Sequence, residues 1–260
     1  MEATRTGSGS PLVLVHGLGS SHRNWDLVLA TLGAQREVIA LDLPGFGGTA
    51  PLPGEVSVAT LTDALESWLS REGLRDAAVV GSSMGARMVL ELARRGHSGP
   101  VVSLDPGGFW TDRQAQVFGA SVKASVALVR GIQPALGVLA GNPAGRTALL
   151  AQFSAAPWKL PRDTVFTELR GFTKAAAPSL DDALRSLVRG PRQQGSAPGG
   201  TTARIVIGWG RQDRVTLPSQ ARTATERFPE ARLHWFDKCG HFPHWDQPGQ
   251  AARLILDSTG

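Results

Sequence analysis

The chain has 260 residues, with 27 Lys and Arg against 22 Asp and Glu, a net charge of +5. This length holds one α/β domain with an insertion or two small domains, and 42% hydrophobic with 19% charged residues excludes a disordered chain. One cysteine, Cys239, excludes an internal disulfide, and no apolar run approaches the roughly 20 residues of a membrane span.

Residues 11–15 read as a short buried strand that runs into the loop His16-Gly17-Leu18-Gly19-Ser20-Ser21 and then a helix over 24–32. A strand over 36–43 ends in Pro44-Gly45-Phe46-Gly47-Gly48-Thr49, too glycine-rich to be anything but a loop. Leu61, Ala64, Leu65, Trp68 and Leu69 recur at helical spacing within 58–71. The apolar run 76–80 leads into Gly81-Ser82-Ser83-Met84-Gly85 and a helical pattern over 87–95. A further strand over 99–105 closes in Pro106-Gly107-Gly108.

From 109 to 190 the alternation stops. Helices are expected over 112–129, 143–153, 162–174 and 180–188, punctuated by Pro134, Pro157, Pro161 and Pro178. Residues 191–200 read as a flexible return linker. A strand over 202–207, a helix over 218–228, a strand over 231–236 and a helix over 247–257 complete the chain, with Asp246 expected to cap the last helix. Buried strands alternating with helices indicate an α/β fold: a mostly parallel sheet covered by helices on both faces. The core is expected at 1–107 and 200–260, with an all-helical cap and linker at 108–199.

Gly81-Ser82-Ser83-Met84-Gly85 between a strand and a helix has the context of a nucleophile elbow. A serine hydroxyl at neutral pH needs a base, and the base an orienting acid. His241, after the last strand, is the best base. Asp213, ending the loop after the strand over 202–207, is the best acid, and Asp105 the runner-up. Backbone amides of Met84 and Leu18 are the expected oxyanion donors, with Gly17 and Gly19 permitting close approach.

The remaining histidines suit other roles. His16 is expected to matter through its backbone rather than its ring, His97 sits at a helix C-terminus that favours a cation, and His22 and His234 have no obvious partner. His244 makes a His-x-x-His pair with His241, but no acidic or cysteine cluster accompanies it, so neither metal nor cofactor is expected. Asp42 is expected to brace its own glycine-rich loop.

Between 108 and 199 lie eleven basic residues against five acidic ones, which leaves the rest of the chain near neutrality. They are spread singly, without a recognised motif, which argues against nucleic acid. A solvated arginine-rich surface is one reading; a field for an anionic or carrier-bound acyl substrate is another. Phe109, Trp110, Trp158 and Phe242 are candidate substrate contacts, although the aromatic residues of the insertion equally suit its own core. Met1–Gly9 carries no apolar signal core, so a cytoplasmic location is expected.

With these residues placed, the chain resembles the α/β-hydrolase superfamily over nearly its whole length. The order Ser83, Asp213, His241 is that family's nucleophile–acid–base order, and His16-Gly17-Leu18-Gly19 with Trp25 resembles its oxyanion loop. Asp42-Leu43-Pro44-Gly45-Phe46-Gly47 and Gly240-His241 with Asp246 and Pro248 match further segments. The resemblance implies a helical cap at 108–199 and hydrolysis of an ester or thioester. Carbon–carbon cleavage, cyclisation, acyl transfer or ligand binding with little turnover are its alternatives. Three departures stand out. Only about ten residues precede the first strand, so the N-terminal antiparallel strands are reduced or absent. Ala86-Arg87 replace a second small residue after Gly85. Serine at 82 withholds a subfamily, while serine at 83 excludes the aspartate-nucleophile branches.

Overall fold

The computed structural model describes residues 1–174 and 177–260; Ala175 and Ala176, inside the expected insertion, lie outside the described residues. The elements run β1 (Ala3–Thr6), β2 (Pro11–Val15), α1 (Asp26–Gly33), β3 (Glu37–Leu41), α2 (Val58–Arg71), β4 (Ala78–Ser82), α3 (Met84–Arg94) and β5 (Val101–Leu104). Then come α4 (Asp112–Gly131), α5 (Leu136–Gly141), α6 (Pro143–Leu150), α7 (Arg162–Lys174) and α8 (Ala177–Arg189). The chain closes with β6 (Ile205–Gly210), α9 (Gln220–Arg227), β7 (Arg232–Phe236), α10 (Pro243–Asp246) and α11 (Pro248–Thr259).

The seven strands form one sheet in the order β1-β3-β2-β4-β5-β6-β7. All pairings from β3 to β7 are parallel, and β1 alone is antiparallel, against β3. The N-terminal antiparallel region is thus reduced to one strand. Its four residues are exposed and lack the apolar pattern of a buried strand, which is why the sequence conceals it.

Alternation along the strands sorts the core into two layers. Leu12 and Leu14 face Trp25, Leu32, Ala251 and Ile255, whereas Val13 and Val15 join Leu61, Leu65 and Met88 on the other face. Phe118, Val122, Leu180 and Leu184 of the inserted helices extend that second layer.

Two expectations need correction. The strand expected over 202–207 lies at Ile205–Gly210, because Gly208 and Gly210 serve close approach rather than a loop. A Cβ at Gly208 would stand 2.8 Å from the Phe236 ring, and one at Gly210 would stand 2.0 Å from Gly240 O. Asp246 does not cap α11: Gln247 holds that position with no side-chain hydrogen bond, and Asp246 ends the short α10. Among the described residues no single helix is long and apolar enough to cross a membrane.

The two ends of the chain are stapled together by Arg36, a buried residue just before β3. Its guanidinium donates to Ser10 O (2.9 Å), Pro11 O (3.1 Å), and Thr259 O and Oγ1 (both 2.8 Å). Arg36→Met removes all of these hydrogen bonds and takes the guanidinium donor from the buried Thr259 carbonyl, and the expected loss is about 1–3 kcal/mol of stability. It is read as a lower urea midpoint at unchanged slope.

Candidate active site

Because β2 to β7 are parallel, the loops after β2, β4, β5, β6 and β7 share one edge of the sheet, where open α/β sheets place their sites. At its centre β4 turns into α3 within one residue. Ser83 takes φ 56° and ψ −112°, a strained backbone costing about 1–3 kcal/mol. The turn exists because two side chains are missing. A Cβ at Gly81 would lie 2.2 Å from Gly85 O, and one at Gly85 would lie 2.3 Å from Val15 O.

His241 Nε2 stands 2.8 Å from Ser83 Oγ, and His241 Nδ1 stands 2.8 Å from Asp213 Oδ2. Asp213, rather than Asp105, is the carboxylate bonded to the ring. Its Oδ1 accepts from Val215 N–H (2.7 Å) and Thr216 N–H (3.1 Å), and its Oδ2 accepts from Thr216 Oγ1 (2.6 Å). With Nδ1–H donating to Asp213, Nε2 presents its lone pair to the serine hydroxyl, the arrangement of a general base.

The peptide linking Gly17 to Leu18 is the other half of the site. Gly17 approaches so closely that a Cβ there would be 3.1 Å from Ser83 Cβ. His16 fixes its direction: Nδ1–H donates to Gly17 O (2.7 Å), while Nε2 accepts from Leu43 N–H (3.0 Å). In a trans peptide the C=O and the following N–H point opposite ways, so holding Gly17 O aims Leu18 N–H away from His16. Burial lowers the His16 pKa to about 4, which keeps the ring neutral for this bridge. The expectation that only the His16 backbone matters is therefore corrected. Met84 N–H, in the first turn of α3, has no partner within the helix and is the second available donor.

Other titratable residues hold this edge in shape. Asp42 Oδ2 accepts from Gly48 N–H (2.8 Å), as expected for a loop brace, and Oδ1 accepts from both N–H (2.7 Å) and Nδ1 (2.9 Å) of His22. His22 thus has a partner after all, and hydrogen bonds from His22 and Gly48 outweigh burial to lower the Asp42 pKa to about 2. His234 has one in Gln250 Nε2 (3.1 Å). His97 is no cation site, because burial lowers its pKa and Nε2 bonds Ala77 O (3.0 Å). Arg87, the departure after the elbow, is buried and donates from Nη2 to Pro191 O, where the insertion returns.

Above Ser83 lies a cavity of about 270 Å³ between the sheet edge and the inserted helices. Phe118, Val122, Val126, Leu169 and Phe172 line it from above, with Gly17, Leu18, Ser83, His241 and Phe242 below. Of the four candidate substrate contacts only Phe242 is there. Phe109 packs on Phe228, Trp110 stacks on Phe118 at 4.7 Å, and Trp158 is 48% exposed and away from the cavity. The α4 lining recurs every three or four residues, a spacing visible in the sequence but equally that of a core stripe.

A family model described as the alpha/beta hydrolase family matches residues 12–254. The chain belongs to the alpha/beta hydrolase family. This hydrolase is 31% identical over 260 residues to the dihydrolipoyllysine-residue acetyltransferase component of an acetoin cleaving system from Pseudomonas putida, covering 95% of the chain and 63% of that protein. It is 28% identical over 265 residues to 2-hydroxymuconate semialdehyde hydrolase from Pseudomonas sp. strain CF600, covering 97% and 87%. Its fold is similar to a thermophilic esterase from Thermogutta terrifontis, with TM-score 0.77 and 18% identity over 98% of this chain and 91% of that one.

A buried acid joins the hydrolase's inserted helices to the sheet edge that carries Ser83 and His241. Glu168 of α7 accepts from Asn24 Nδ2 (3.1 Å), and Asn24 Oδ1 meets His244 Nε2 (2.7 Å). Burial pushes the Glu168 pKa up to about 7 and the His244 pKa down to about 3. For Glu168 the folded state keeps a proton that the unfolded chain releases above about pH 4.5. The folded protein therefore loses stability as pH rises from there to about 7. Glu168→Gln removes the ionisation, so it is expected to leave stability unchanged near pH 5. At pH 8 it raises stability by about 1–3 kcal/mol, read by denaturation across pH.

Proposed function

We propose that this hydrolase cleaves a small, neutral carboxylic ester through an acyl-enzyme on Ser83. Ser83 Oγ attacks the acyl carbon as its proton passes to His241 Nε2, and Asp213 stabilises the imidazolium. The Leu18 and Met84 amides receive the oxyanion. His241 then protonates the leaving alcohol and activates water to release the acid, so every step uses groups of this chain. The observation carrying this reading is the 2.8 Å contact on each side of the His241 ring.

The cavity supports the substrate class. Its volume is below the roughly 300–1,000 Å³ usual for ligand pockets, and among the described residues no Lys, Arg, Asp or Glu lines it. Five of the eleven basic residues of the insertion, Lys123, Arg130, Arg185, Arg189 and Arg192, line an outer groove between α4 and α8. A charge field there speaks for a solvated surface rather than for an anionic acyl group beside Ser83. Carbon–carbon cleavage is the second reading, favoured by the semialdehyde hydrolase relative. The substrate in that relative's name is a muconate derivative bearing a carboxylate, and a carboxylate in this cavity would meet no Lys or Arg among the described residues.

Ser83→Ala is expected to abolish fluorophosphonate labelling and lower hydrolysis of para-nitrophenyl butyrate on the order of 10⁴-fold or more. Retained labelling overturns the nucleophile. In a substrate panel, neutral short-chain esters are expected to give higher kcat/KM than esters ending in a carboxylate or vinylogous diketone acids. Higher kcat/KM on the vinylogous diketone acids than on any ester would establish the second reading.

A further inference from the structure

Asp105 is a second carboxyl beside the triad, and the steps above leave it unused. It ends β5 and is fully buried. Its φ of +50° is a backbone state that few residues other than glycine adopt. Its N–H donates to Gly208 O (2.9 Å), and its C=O lies 3.3 Å from Thr216 Oγ1, whose one proton goes to the nearer Asp213 Oδ2 at 2.6 Å. A carboxyl oxygen of Asp105 lies within 4.8 Å of an oxygen of Asp213 and of a ring nitrogen of His241.

The donors around the two acids are unequal. Four hydrogen-bond donors converge on Asp213: two backbone amides, the Thr216 hydroxyl and the His241 ring. Asp105 Oδ1 accepts only Gly210 N–H (2.8 Å), and Oδ2 accepts from no N–H or O–H among the described residues. Two sealed carboxyls this close cannot both hold a charge, and the one with donors keeps it. An oxygen that receives no donor beside a carboxylate is where a proton belongs.

We infer that Asp105 is a neutral acid at pH 7 whose Oδ2–H donates to the Asp213 carboxylate, which makes it a positioning residue for the His241–Asp213 pair. Burial, the Asp213 charge and the hydrogen bond shared with Asp213 all push the Asp105 carboxyl well above the usual carboxylate range. The other ionisable groups acting on this corner reinforce that state. Asp246 adds negative charge, and the Cys239 thiol is pushed up by burial and by the same acids, so it stays uncharged. The Asp105 proton is not transferred. Its hydrogen bond draws charge from Asp213, loosening the grip of Asp213 on the imidazolium. It also fixes the carboxylate that orients the ring. Removing the donor should therefore move the acid limb of the pH–rate profile upward.

The kinetic consequence rests on the esterase reading, whereas the protonation state does not, so two measurements separate them. Infrared difference spectra of the parent against Asp105→Asn at pH 8, where Glu168 has ionised, are expected to show a protonated-carboxyl band that the variant lacks. Absence of that band overturns the inference whether or not any ester is turned over. On para-nitrophenyl butyrate, Asp105→Asn keeps an N–H donor. It is expected to hold kcat/KM within about threefold and leave the acid limb of the pH profile in place. Asp105→Ala loses the donor without adding a β-branched side chain at positive φ; kcat should fall about tenfold at unchanged KM and the acid limb move upward. An acid limb that moves down by about a unit in Asp105→Asn would mean that Asp105 is ionised, and an unaltered profile in Asp105→Ala would remove its positioning role.

Discussion

A strand can turn into a helix over a single residue only where the backbone on both sides can touch. In this chain β4 and α3 meet that condition because Gly81 would otherwise collide with Gly85 O, and Gly85 with Val15 O. The strain this imposes falls on Ser83, which is held by Leu104 O on its N–H (2.9 Å) and by Arg87 N–H on its C=O (3.1 Å). Everything else at the site is set relative to that serine. The loop after β2 comes within reach of it because residue 17 is glycine, and the segment after β7 brings His241 Nε2 to its hydroxyl.

The inserted helices are joined to this edge by buried polar groups as well as by apolar packing. Asp246 Oδ2 accepts from Gly240 N–H and Ala155 N–H, both at 2.7 Å, and its Oδ1 accepts from Ser154 Oγ. His241 N–H itself donates to Phe153 O (2.8 Å). Thus one carboxylate and one carbonyl lock the base-bearing loop to the insertion. Arg87 does the same for its return, and Glu168 through Asn24 ties α7 to α10, which carries His244. Buried polar groups of this kind are costly unless paired, so each fixes the insertion in one register over the cavity.

Much of the site was legible because its signals are local. Gly-x-Ser-x-Gly between a strand and a helix pattern marks a turn whatever surrounds it, and the order of Ser83, Asp213 and His241 needs only strand ends counted along the chain. Asp246 misled for the same reason. Two residues before a proline at a helix start it looks like a cap, while two of its three partners, Ser154 and Ala155, lie about ninety positions away. His16 and His22 were hidden likewise, since Leu43 and Asp42 are more than eighteen residues distant and no spacing rule connects them.

The sequence alone determined the alternating α/β order, the helical insertion between β5 and β6, and the elbow with its strained serine. These follow from residue periodicity and from glycines that act on their own neighbours. Tertiary structure decided which acid faces His241, which aromatic residues reach the cavity and where the positive charge of the insertion points. Each of those depends on side chains from separate elements converging. Phe118 and Val122 look the same as Trp110 in a helical pattern until the sheet edge beneath them leaves space over one and fills it under the other.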